Sequence, residues 1–191
     1  MMTAEEYNSR KAQTYKLLLY FGMLSMVMTF AGLTSAYVVS TSRPDWLSDF
    51  KMPMPFFIST LLMILSSFTI HSAKIQIKKD NRSMTTIMLL STLLLGIGFI
   101  MSQFYGFSEI INQGYYFTGS ESTVTTSFLY IVTILHIAHL AGGMIALLII
   151  IYNHFKQKYN STQTTGIELG AIFWHFLDLL WILLFLFFYF Y

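Results

Sequence analysis

No cysteine occurs among the 191 residues, which excludes disulfides, thiolate metal sites and covalently attached c-type haem. Charge is nearly as scarce. Asp, Glu, Lys and Arg together make up 10% of the chain against 55% apolar side chains, and the mean hydropathy of +0.60 lies outside the range of soluble domains. The formal net charge is only +2; short basic loops account for it, and no nucleic-acid partner is expected. Internal repeats and low-complexity segments are absent. The three prolines cluster early: Pro44 in an expected turn Arg43-Pro44-Asp45-Trp46, then Pro53 and Pro55 at the start of an apolar run. Proline is tolerated there, in the first turn of a helix.

What is present is a series of charge-free apolar windows: Leu17–Val39, Met52–Ala73, Ser83–Ser108, Ser122–Tyr152 and, broken by one acid, Leu169–Tyr191. Each is long enough to cross a hydrocarbon core of ~30 Å as a helix of about 20 residues. The short alternating segments of a transmembrane barrel are missing. The expected fold is therefore an all-α integral membrane protein, a bundle of five transmembrane helices near 17–39, 53–73, 84–108, 124–152 and 167–190. Residues 1–16 read as a polar cytoplasmic lead and 17–191 as one membrane domain. That lead and the 23-residue apolar run after it are too long for an ordinary secretory signal, so the first helix is expected to be retained.

Cations set the expected orientation. Arg10, Lys11, Lys16, Lys74, Lys78, Lys79, Arg82, Lys156 and Lys158 fall on one side, against Arg43 and Lys51 on the other. By the positive-inside rule the N-terminus is cytoplasmic and the C-terminus periplasmic. With short connections throughout, no extramembrane domain is available to carry a soluble active site. Small residues of the first helix, Gly22, Ser25, Thr29 and Gly32, are expected to let a neighbouring backbone approach.

The most informative stretch is Trp174-His175-Phe176-Leu177-Asp178-Leu179-Leu180-Trp181. Asp178 is the sole fully charged residue in the last 23, and a carboxylate at that depth costs at least ~2.5 kcal/mol on the insertion scale. His175 and Asp178 stand at i and i+3 on one helix face, as do His136 and His139 in the fourth window. At ~1.5 Å rise per residue, His136 and Asp178 reach similar mid-membrane depths. A polar cluster of His136, His139, His175 and Asp178 between the last two helices is the natural expectation, with Glu168 capping the start of the last helix. Two histidines three apart also suit a metal or haem if a second helix adds ligands. An isolated intramembrane acid also suits a proton relay or ion site. The structural reading is preferred to the first because no further ligand-rich segment supports a metal site. It is preferred to the second because paired repeats and broken helices are missing. Gly142 and Gly143 read as packing glycines.

These segments resemble subunit III of the haem–copper terminal oxidases, the cytochrome c oxidase subunit III family. Trp174-His175-Phe176-x-Asp178-x-x-Trp181, preceded by Glu168, is similar to the family's last-helix signature, and Thr133-x-x-His136-x-x-His139-x-x-x-Gly143 to its penultimate one. Ala31-Gly32-Leu33-x-Ser35-Ala36-Tyr37, then Gln103 and Glu109, resemble further family motifs, in the right order along the whole chain. Three positions depart. Met26 stands where the family often has an embedded glutamate, Ile134 replaces a glycine, and Gly106 replaces an interfacial glutamate. Five helices correspond to the last five of the seven-helix form, whose first two help form a lipid-holding cleft.

The resemblance implies a subunit without haem, metal or catalytic residues of its own, in a bacterial cytoplasmic (inner) membrane. It implies partnership with subunits I and II, which carry haem and copper, and with membrane lipids. It also implies a role in stabilising subunit I and supporting proton uptake. The short form and Met26 further suggest a donor complex in a supercomplex; whether the donor is cytochrome c or quinol is not legible. Two alternatives stay open: a haem or metal oxidoreductase using His136, His139 and His175, and a proton-coupled transporter using Asp178.

Overall fold

A computed structural model describes residues 4–44, 46–47, 51–119 and 122–190. Asp45 of the expected turn, the end of the second outer loop at Glu121 and the terminal Tyr191 lie outside them. Five long helices follow in order: α1 (Ala4–Val39), α2 (Met54–Lys78), α3 (Arg82–Asn112), α4 (Val124–Phe155) and α5 (Thr165–Phe190), with a single 3₁₀ turn at Ser40–Ser42. All five are long and apolar enough to cross a membrane. Among the described residues no strand forms.

Each helix overruns its apolar window. In α1 the polar segment Ala4–Lys16 is itself helical and continuous with the apolar window, because its Ala, Glu, Lys, Arg and Gln residues are helix formers with no Gly or Pro among them. The ends are set by caps. Pro53 precedes α2 with Pro55 in its first turn, the Asn81 side chain accepts from Met84 N–H at the start of α3, and Thr123 and Thr126 form a reciprocal capping box on α4. At the far ends of α2 and α4 the chain turns through left-handed residues, Asp80 (φ 53°) and Gln157 (φ 56°). There Asn81 N–H bonds Gln76 O at 3.1 Å and Lys158 N–H bonds Asn153 O at 3.1 Å, closing two Schellman turns.

α5 packs on α2, α4 and α1, while α2 and α3 form a closely paired hairpin. The core runs from Phe56, Met63 and Ile70 of α2 through Phe99 of α3 and Leu140 and Leu147 of α4 to Trp174, Leu177 and Trp181 of α5. Outward faces carry exposed Leu, Ile, Met and Phe on every helix, as a lipid solvent requires. α1 sits at the margin against α4 and α5. Its buried side chains among the described residues are Phe30 and Tyr37. The small residues of α1 meet no neighbour among the described residues of this chain: nothing lies within 4 Å of a Cβ built on Gly22 or Gly32, and Ser25 and Thr29 are also exposed. Two bulky aromatics set the spacing of this helix instead. Close approach occurs elsewhere, at Gly143 against Leu177 and at Gly170 against Ile150, where α4 crosses α5.

Candidate functional site

The Trp174–Trp181 motif makes its polar contacts with α2. Trp174 Nε1 donates to Ser66 Oγ at 2.9 Å, and Trp181, seven residues and two turns on, donates from Nε1 to Thr60 Oγ1 at 3.0 Å. Between them His175 Nδ1 lies 2.6 Å from Ser67 Oγ. Ser59 reaches the other way, accepting from Gln103 Nε2 of α3 at 2.8 Å. Phe176 is half-buried, packing on the cluster of Phe30, Val132, Leu180 and Leu184 as well as on the main core.

Asp178 is buried, with 3% of its surface exposed, and neither carboxyl oxygen has a hydrogen-bond partner among the described residues. It lines a cavity of about 450 Å³ between α2 and α5, together with Ser67, His71 and His175. Ser67 faces the carboxyl without closing a bond to it.

The other two histidines of the expected cluster, His136 and His139, lie on a different side of α5. His136 is fully buried among rings, with Trp181 at 5.1 Å, Phe99 at 5.9 Å and Phe30 at 6.4 Å between centroids. Both its ring nitrogens lack a partner among the described residues. His139 Nδ1 lies 2.7 Å from Leu135 O, one turn back on its own helix, and its ring packs 5.7 Å from Phe30. The expected single cluster is therefore divided. Equal depth did not bring the groups together, because His136 and His139 point toward α1 and α3 while His175 and Asp178 point toward α2. Glu168 forms a third place. Its carboxylate binds Lys78 at 2.8 Å and Lys16 at 3.5 Å and accepts from Thr164 Oγ1 at 3.1 Å, drawing α1, α2 and α5 together at the cationic end.

Among the remaining motif residues, Gln103 is buried on Ser59, Glu109 is half-buried near the end of α3, and Gly143 abuts Leu177. Gly106 admits the ring of Phe56, whose Cε2 lies 2.6 Å from where a Cβ would stand. Among the described residues no three His, Asp or Glu converge as metal ligands.

Sequence reasoning missed the α2 partners. Thr60, Ser67 and His71 stand at i, i+7 and i+11, with Ser59 and Ser66 beside them, so a polar stripe was readable at helical spacing. His154, buried with Nε2 2.9 Å from Thr86 Oγ1, is a further missed link, joining α4 to α3.

The sequence model of the family "Cytochrome c oxidase subunit III" matches residues 6–191. The chain is similar to cytochrome c oxidase subunit 3 of Thermostichus vulcanus, 31% identical over 168 residues, which is 85% of this chain and 80% of that protein. The corresponding protein of Bacillus sp. (strain PS3) is 28% identical over 160 residues, 82% and 75% of the two chains. Cytochrome c oxidase subunit 3 of Drosophila yakuba is 27% identical over 172 residues, covering 88% of this chain and 62% of the longer relative.

Proposed function

The chain belongs to the cytochrome c oxidase subunit III family, and we propose that it serves as the supporting, cofactor-free subunit of a haem–copper oxidase. In this reading haem and copper reside in partner subunits I and II. This chain contributes a rigid intramembrane wall that preserves subunit I during turnover and aids proton uptake. Neither the oxidoreductase reading nor the transporter reading is favoured by any comparison.

The observation that carries the proposal is the family match over residues 6–191. Its aromatic and histidine motifs are spent on joining helices: Trp174 and Trp181 on α2, His136 on the α3–α5 rings. Such joints make a stiff bundle. The same reading sets the cationic end, where Lys16, Lys78 and Glu168 meet, on the cytoplasmic side and the C-terminus in the periplasm of a bacterial inner membrane. Lipids cover the apolar outer faces, and a donor complex completes the assembly.

Affinity isolation of the tagged chain from mild detergent is the test. Recovery with a haem–copper subunit I and its haem spectrum is the expected result. Isolation of the chain alone, while the oxidase purifies intact without it, would overturn the proposal.

A further inference from the structure

The groove between α2 and α5 holds an acid whose carboxyl oxygens close no hydrogen bond among the described residues. Glu168 on the same helix has three polar neighbours, whereas Asp178 is buried to 3% with both oxygens unpaired among the described residues. A charged carboxylate in this mostly apolar cavity would cost far more than a protonated one. The polar groups that do line the cavity are ordered along the membrane normal. His71 lies seven residues before Lys78, ~10 Å from the cationic end, while His175 and then Asp178 lie ten and thirteen residues into α5, ~15 and ~20 Å deep. The His71 and His175 rings are 5.9 Å apart between centroids. His175 Nδ1 is 2.6 Å from Ser67 Oγ, and Ser67 faces Asp178.

We propose that this groove is a proton-holding site, in which Asp178 binds the proton and His71, His175 and Ser67 carry it between the cationic end and the carboxyl. A proton on the exposed His71 ring passes to Nε2 of His175 across one water or a ring rotation. His175 releases its Nδ1 proton to Ser67 Oγ as the Ser67 hydroxyl gives its own to the carboxylate. His175 and Ser67 end as they began apart from the exchanged ring proton, Asp178 becomes a neutral acid, and no electron moves. The charged and titratable groups around the path are Lys74 beside His175 on the α2 side, and Lys16, Lys78 and Glu168 below it. On α4, His136 and His139 face the Phe30, Phe99 and Trp181 rings instead. The site deepens the proposed support of proton uptake, but it is built wholly from this chain.

Infrared spectroscopy of the purified oxidase complex tests it. The wild-type spectrum is expected to contain a protonated carboxyl C=O band that Asp178→Asn removes. Should that variant fail to assemble, displacement of the band in Asp178→Glu decides the assignment. On transfer to D₂O the band should shift, and His71→Leu, a change at an exposed position, should slow the shift at least tenfold while leaving the band in place. A spectrum unchanged by either Asp178 substitution, or exchange equally fast in His71→Leu and Ser67→Ala, would overturn the proton-holding site. Failure of the chain to co-purify with subunit I would instead count against the functional reading.

Discussion

Trp174 of α5 and Ser66 of α2, 108 positions apart in the chain, meet at 2.9 Å in the fully buried centre of the bundle. Ser66 in turn donates to Met63 O of its own helix at 2.8 Å, so the indole N–H is satisfied by a hydroxyl that is itself fixed. The two elements are thereby registered against each other at one defined depth.

Removing the acceptor should cost more than the bond itself is worth. Interhelical hydrogen bonds in membranes average about 0.6 kcal/mol, but a buried indole N–H left without a partner costs about 1–3 kcal/mol. Ser66→Ala is expected to lose stability in that larger range, and Thr60→Ala, at the half-buried Trp181 bond, less. Thermal unfolding of the complex in detergent, compared across the two variants, checks the order.

Neighbouring glycines should respond with opposite sign. A Cβ on Gly142 meets nothing within 4 Å, whereas one on Gly143 would stand 2.9 Å from Leu177 Cδ1. Gly142→Ala gains about 0.5–1 kcal/mol from helix propensity, and Gly143→Ala loses about 1–3 kcal/mol to overpacking. The same unfolding measurement distinguishes them.

Acid should release the clasp between the α2–α3 and α4–α5 loops. Hydrogen bonding from Ser161, including its backbone N–H at 2.8 Å, holds the Asp80 carboxyl below the usual carboxylate range. A lowered folded value means the contribution is present above the unfolded value and disappears as pH falls through the folded one. Loop protection is therefore expected to be unchanged from neutral pH down to about 4 and to fall only below it. Limited proteolysis with an acid-active protease between Asn160 and Thr164, on wild type and Asp80→Ala, measures this; the variant should show no pH step.

The five spans were legible because a membrane demands unbroken apolar runs, and Asp178 stood out because such runs exclude charge. The partners of those polar residues were not. Depth along each helix follows from counting, but azimuth does not. His136 and Asp178 share a level yet face different neighbours across α5. The α2 stripe of Thr60, Ser67 and His71 contains no Asp, Glu, Lys or Arg to mark it within the apolar run, although its spacing is readable. Gly22 and Gly32 promised close helix contact, but Phe30 and Tyr37 decided which side of α1 packs.

In the proposed function, His136 and His139 of α4 help build the bundle and ligate nothing. The most direct measurement of this claim is the reduced-minus-oxidised optical spectrum of the assembled complex carrying His136→Leu together with His139→Leu. Every haem band at wild-type amplitude per complex is the predicted result, with at most a loss of stability from disturbed packing around Phe30, Phe99 and Trp181. Disappearance of a haem band from a complex that still contains all its subunits would contradict the account.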